Sequence, residues 1–340
     1  MLQKISILIL AATVLFGAQP LEAAQKKSSK SKKSQTSALR NKPTSQKLKG
    51  AKKKKNAPTN NAFAQPPANS GSLNGSSAST PTPTPASTPT PTPVSTPTPI
   101  PTMITVQGGT LPSNSEFAGQ TVVTFEIGKY EVTLDEWQKV RAWAGANGYT
   151  DLAGVGAGSM LTHPVQNVSW NDCAKWMNAK SQKEGLIPVY YIAGNVYKSG
   201  WSGDTGPTVN RNANGYRMPS EKEWEWAAGG GALSRGYAYS GSNDFTIVGW
   251  FYDNATDASA NMYNGRGTWP VGVKDPNELG IYDMSGNVLE WCEDAVNYPV
   301  FRRLRGGSFN ILASSYRNRL GMTIYEGIFY TGFRLARNAP

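Results

Sequence analysis

Residues 79–102 read STPTPTPASTPTPTPVSTPTPIPT, and no other stretch limits so strongly what this chain can fold into. Each proline removes a backbone N–H and biases the residue before it toward extended geometry. Neither a helix nor a paired strand can run through such a segment. The alternation of Thr and Pro predicts a semi-rigid polyproline II stalk, rising about 3.1 Å per residue and open to O-glycosylation. Residues 56–102 carry no charge at all and are read as one Pro/Thr-rich linker. Beyond it, residues 103–340 contain no comparable break, so they are expected to form one domain, long enough to bury a substantial core.

The segments before the linker account for the charge. Residues 26–55 hold twelve Lys and one Arg without a single acid. The formal net charge of +11 therefore belongs to this tail, since acids slightly outnumber bases from Asn56 onward. A basic face on the globular domain is excluded, and no specific nucleic-acid partner is expected. The tail is expected to be disordered on its own, and either to adhere to a polyanionic cell-wall or membrane surface or simply to solvate the chain. Residues 1–25, MLQKISILILAATVLFGAQPLEAAQ, combine Lys4, an apolar run over 5–18 and the small residues Ala23 and Ala24. That is the pattern of a secretory signal peptide, too short for a comfortable transmembrane helix, with a retained N-terminal anchor as the alternative. A secreted, periplasmic or cell-surface location follows.

The residue inventory excludes several chemistries. One histidine, His163, and two cysteines, Cys173 and Cys292, are available. Zinc or iron sites needing two or three histidines fail on ligand count. A Ser-His-Asp triad could draw only on His163, which Pro164 follows, so it reads as a loop histidine leading into a strand. There is no P-loop and no dinucleotide fingerprint. Cys173 and Cys292 are a candidate disulfide for a secreted chain, although sequence does not place their Cα atoms. They lack the CxxC spacing of a redox pair.

Local patterns indicate short helices early and irregular β structure late. Residues 122–130 predict a strand, and Thr133 with Glu136 predicts a capping box opening a helix at Leu134. In VSWNDCAKWMNAKSQKEG, Ser169 or Asn171 caps a second helix that turns Cys173, Trp176 and Met177 inward and ends at Gly185. VYYIAGNVYKSGW alternates around Gly194-Asn195 as a hairpin. In YRMPSEKEWEWAAGGG, Ser220 and Glu223 form another capping box above Trp224 and Ala227. The expected class is α+β, loop-rich, with two or three short helices.

These motifs, with NELGIYDMSGNVLEWCED, RLRGGSF and GFRLAR, occur over about 120–337 in an order that resembles the formylglycine-generating enzyme, or sulfatase-modifying factor, family. The resemblance implies a variant of the C-type lectin fold. It also implies a structural calcium ion held by the side chains of Asp283 and Glu290 and the carbonyls of Gly286 and Val288, an oxygen-rich set of the kind calcium takes. The alternative is that Asn287 and Glu290 only hydrogen-bond their loop. The family's other calcium loop would begin at Asn261 and Met262, where its acidic part is missing. The family's two copper-binding cysteines fall on Ile311 and Tyr316, which offer no thiolate to soft cuprous ion. A single-histidine chain cannot supply the iron ligands of the sulfoxide-synthase branch, so neither copper nor iron is expected.

The chain thus resembles non-catalytic, retroelement-diversified surface binders of that family. Between RGGS and GFR, the expected contact surface comprises Asn310, Ile311, Leu312, Tyr316, Asn318, Leu320, Met322, Ile324, Tyr325, Ile328, Phe329 and Tyr330. Phe309 and Phe333 are expected to turn inward. Such an aromatic-rich face suits a protein or glycan ligand. The alternatives are an oxidase-like enzyme acting on protein cysteine and a purely structural cell-surface protein.

Overall fold

The computed structural model describes residues 102–256, 265–296 and 298–340. The expected signal peptide, the Lys-rich tail, the linker up to residue 101, and Asn261 and Met262 lie outside the described residues. In chain order the elements are β1 (Met103–Val106), β2 (Gly109–Thr110), β3 (Thr121–Val122), β4 (Phe125–Gly128), α1 (Leu134–Gly145) and α2 (Trp170–Lys183). Next come β5 (Tyr190–Ile192), β6 (Asn195–Val196), β7 (Thr208–Val209), α3 (Glu221–Ala228) and the four-residue α4 (Phe245–Val248). The chain closes with β8 (Leu289–Ala295), β9 (Phe301–Arg305), β10 (Leu320–Thr323), β11 (Thr331–Gly332) and β12 (Ala336–Asn338). Four small sheets have the orders β1-β4-β12, β2-β3, β6-β5-β7 and β10-β9-β8-β11. Only the β11-β8 pair is parallel among the described strands.

The helices begin where side-chain capping allows. Ser169, not Asn171, caps α2, exchanging hydrogen bonds with Asp172 in a reciprocal capping box, and Ser220 does the same with Glu223 for α3. At α1 only half of the expected box forms. Thr133 accepts from the Glu136 amide, but the Glu136 carboxylate is 3.0 Å from Lys180 of α2, so a tertiary ion pair takes it from its local role. Gly185 follows α2 at φ +74°, the left-handed geometry that glycine tolerates without strain.

Two expected β features differ. The strand foreseen over 122–130 is broken into β3 and β4, because Val122, Phe125 and Ile127 are all buried. Residues three apart face opposite sides of a continuous strand, so the chain switches sheets between them: β3 pairs with β2, and β4 with β1 and β12. The hairpin turn lies at Ala193-Gly194, one residue earlier than expected, with φ +48° and +79° and Ile192 opposite Asn195. Two positive φ values are what a two-residue hairpin turn needs to match the strand twist.

The core is built on indoles. Trp137 of α1 and Trp176 of α2 stack at 5.4 Å and 2°, and Phe333 meets both edge-on at 5.8 and 5.4 Å. Buried indole N–H groups must find acceptors, and here they tie distant segments together. Trp176 donates to the Trp137 carbonyl, Trp137 to that of Val155, Trp170 to that of Cys292 and Trp291 to that of Val168. A second cluster holds Val106, Phe125, Ile127, Trp224, Cys292 and Tyr316, and a third Trp250 and Phe309. Phe309 and Phe333 are both interior, as expected.

Cys173 lies in the first cluster and Cys292 in the second. Both are free, buried thiols, so the expected disulfide is corrected: the two cysteines sit in separate apolar clusters. Burial raises both thiol pKa values well above the ordinary range, which leaves them inert as nucleophiles. Because Phe333 fills the junction between both helices, Phe333→Ala is expected to lower the unfolding free energy in urea by about 3–5 kcal/mol. Leu312→Ala, on the exposed surface, should change it by less than about 0.5 kcal/mol; equal effects would contradict this packing.

Candidate functional site

The segment assigned to calcium is a buried polar cluster. Asp283 and Asn287 have φ of +58° each, which turns the loop tightly around Gly286. The Asn287 amide donates to Glu131 at 2.7 Å while its carbonyl accepts from the Trp269 amide at 3.0 Å, and Glu131 also accepts from the Val288 amide at 3.1 Å. Glu290 is fully buried and bound in a fork by Arg334, at 2.6 and 2.5 Å, with the Trp224 indole donating at 2.7 Å. Asp283 accepts from the Gly272 amide, and its other oxygen has no hydrogen-bond partner.

Of the expected calcium set, Glu290 is engaged by Arg334 and Trp224, while Asp283 keeps one buried oxygen without a hydrogen-bond partner. One Glu290 oxygen accepts two hydrogen bonds, from Arg334 and Trp224, and the other accepts one from Arg334. Among the described residues, no group of three or more His, Cys, Asp or Glu side chains is arranged to hold a metal. Asn287 hydrogen-bonds Glu131 and Trp269, and Glu290 bonds Arg334 and Trp224, all partners outside the 283–290 loop.

Burial controls the ionisation of this cluster. It is the largest influence raising Asp283 to about 6, with Glu290 adding to it and the Gly272 amide and Arg334 opposing it. Glu131 is raised well above the carboxylate range, first by burial and then by the charges of Asp283 and Glu290. Glu293 is likewise pushed up to about 7, chiefly by burial.

The interval between RGGS and GFR is not one surface. Tyr316, only 2% exposed, and Ile324, fully buried, are core residues, a correction to the expected contact set. Ile324 goes under because β10 pairs with β9 up to Thr323, and the Ile324 amide then bonds the Val300 carbonyl. Tyr316 is held by Arg305, which donates to its carbonyl while bridging Glu221 and Glu225 of α3 at 2.8 Å each. Asn310, Ile311, Met322, Ile328, Phe329 and Tyr330 are half-buried. Of these, Ile311, Met322 and Tyr330 pack against the first cluster, and Phe329 lies edge-on to Tyr330 at 4.8 Å.

Leu312, Asn318, Leu320 and Tyr325 remain exposed. Tyr325, 41% exposed, lies 6.3 Å from Trp201, 69% exposed. Its hydroxyl donates to the Gly203 carbonyl at 3.1 Å and lies 3.1 Å from Asp204 Oδ1. The sequence reading missed Trp201 and Asp204, although the glycine-flanked tryptophan in KSGWSGDTG was an available signal. The loop is anchored by Arg302, which donates to the Thr205 carbonyl at 2.9 Å.

Comparison with known proteins supplies context for this geometry. Residues 89–339 match the family described as the sulfatase-modifying factor enzyme 1-like domain. A chaperone protein, LppX, of Paenibacillus barcinonensis is 37% identical over 213 residues, covering 58% of this chain and 72% of the relative. A formylglycine-generating enzyme of Thermomonospora curvata is 28% identical over 228 residues, covering 57% of this chain and 63% of that enzyme. The crystal structure of CarF is 31% identical with a TM-score of 0.60, covering 70% of this chain and 98% of that one. Treponema denticola variable protein 1 is 27% identical with a TM-score of 0.52, covering 71% and 100%. The architecture is the loop-rich C-type-lectin-like fold of these proteins.

Two outcomes follow from the buried cluster. Chelation of calcium should leave the melting temperature unchanged; a drop of several degrees would return Glu290 to a metal. The raised carboxyls of Asp283 and Glu293 ionise in the unfolded chain near pH 4 but in the folded one near pH 6 and 7. The unfolded state therefore binds fewer protons across that window, and folding stability should fall as pH rises from 5 to 8. Urea unfolding at both values checks the sign, and Asp283→Asn should flatten the profile.

Proposed function

The chain belongs to the sulfatase-modifying factor enzyme 1-like family, and from that premise we propose that it is an exported, surface-displayed ligand-binding module. The observation that carries this reading is the exposed Trp201–Tyr325 pair on a domain whose surrounding segments are fixed by buried ion pairs. Aromatic side chains standing in water cost hydration free energy unless something covers them, and Trp and Tyr dominate binding energy where partners meet. Leu312, Asn318 and Leu320 extend the exposed part of the same chain interval.

An oxidase reading has less to stand on. The positions that correspond to the family's copper cysteines are Ile311, half-buried against the core, and Tyr316, interior, and neither side chain can bind cuprous ion as a thiolate. The two cysteines present are buried elsewhere. The relative from Paenibacillus is named a chaperone protein, a role that rests on binding. The segments before the domain suit display: residues 1–25 for export, residues 26–55 for retention at a polyanionic surface, and the Thr-Pro stalk for separation from it.

The test is capture from the native cell surface by the full chain, compared with Trp201→Ala/Tyr325→Ala. The expected result is loss of the specific partner in the double variant with a melting temperature within about 2 °C of the parent, as befits exposed positions. Capture that survives the double replacement would place binding elsewhere. Copper loading and incubation with a cysteine-containing sulfatase peptide should yield no aldehyde; turnover would restore the oxidase reading.

A further inference from the structure

The Thr-Pro stalk is a repeat that breaks where it reaches the domain. It reads STPTPTPA over 79–86, STPTPTPV over 87–94 and STPTPIPT over 95–102, so Ile100 stands where Thr84 and Thr92 stand in the two earlier units. A cavity of about 200 Å³ lies at the same end of the domain, with Thr102 and Met103 in its wall. It shares no residue with the Trp201–Tyr325 face. We propose that this cavity is the docking site of the stalk's own last residues, with the Ile100 side chain as the group that fills it.

Position brings the two together. The Thr102 carbonyl accepts from the Lys129 amide at 2.9 Å, one step beyond the Met103–Gly128 pair that opens the β1-β4 ladder, so the end of the stalk is tied beside the cavity. Two residues of extended chain span about 7 Å, enough for Ile100 to enter while Thr102 stays in place. Size agrees as well. An apolar cavity of about 150 Å³ holds a benzene-sized guest, so one of about 200 Å³ has room for a branched aliphatic side chain. The family match begins at residue 89 and thus counts the last stalk residues with the domain.

The wall selects an apolar occupant. Met103, Tyr130, Val132, Tyr216 and Leu335 line it, and its charged members are already paired. Glu136 lies 3.0 Å from Lys180, and Glu131 accepts from the Asn287 side-chain amide at 2.7 Å and the Val288 amide at 3.1 Å. The Tyr216 hydroxyl donates to Glu184 at 2.7 Å. Among the described residues, no side chain lining this cavity keeps a buried polar atom without a partner, so neither an ion nor a hydrogen-bonding ligand is called for. Within 95–101, Ile100 is the one residue with a large aliphatic side chain. Pro99 and Pro101 on either side of it restrict the backbone to extended geometry beforehand, so docking gives up little conformational freedom while it takes an isoleucine out of water.

The experiment is methyl-labelled NMR on the full chain. Nuclear Overhauser cross-peaks are expected between the Ile100 δ1 methyl and the methyls of Val132 and Leu335. Ile100→Thr, which restores the repeat, should remove them and so assign them. The same variant should lower the melting temperature by about 3–8 °C, whereas Val94→Thr, in the preceding unit, should leave it unchanged. Absence of the cross-peaks, or a melting temperature indifferent to Ile100→Thr, would overturn the proposal. Cross-peaks between differently labelled chains in a mixed sample would overturn it too, since they would put the stalk of a second copy in the cavity.

Discussion

The fork between Arg334 and Glu290 is the interaction on which the described domain most depends. Both side chains are fully buried. Besides gripping Glu290, Arg334 donates to the carbonyls of Gly128 and Tyr282, and Glu290 accepts from Trp224 of α3. One guanidinium thus joins β4, the loop before β8, β8 itself and α3. Taking two charges out of water is expensive, and only saturated hydrogen bonding makes the arrangement tolerable. Loss of one partner strands a charge in the interior, at a cost of about 3–5 kcal/mol, whereas the pair adds little beyond what apolar packing would give. Its contribution is geometric: it admits one relative placement of four segments that have little regular secondary structure to align them.

The same logic recurs at Arg305, which fixes β9 against α3 through Glu221 and Glu225, one helical turn apart. It recurs again in the Arg217–Glu223 pair, where both donors lie 2.7 Å from the carboxylate. Together with the indole N–H bonds, these pairs form a rigid frame beneath loops that carry few ladder hydrogen bonds of their own. A frame of this kind lets surface residues vary without unfolding the domain, because the determinants of the fold are interior. That separation is what the binding proposed for the Trp201–Tyr325 surface relies on.

Much of this was legible before any coordinates. Ser220 with Glu223, and Trp176 and Met177 on one helical face, follow from local capping and periodicity. What failed did so through tertiary competition. Glu136 was drawn from its capping role by Lys180, just as the expected strand over 122–130 was split when its two parts joined different sheets. Tyr316 and Ile324 read as surface because they sit in an interval without clear periodicity. They are core because β10 docks on β9 and Arg305 holds the Tyr316 backbone. Trp201 escaped notice because a single aromatic in a glycine-rich loop carries no period.

By itself the sequence sets residues 26–102 apart, since a basic block without acids and an alternation of proline are poor material for a core. It also determined the helix starts, through caps acting over three residues, and the loss of the copper thiolates, through residue identity alone. The tertiary structure decided which side chains of the 309–331 interval face water and that the two thiols stay apart. These are properties of distance between segments far apart in the chain. They depend on how arginines and indoles satisfy buried polar groups across the fold, which no local pattern encodes.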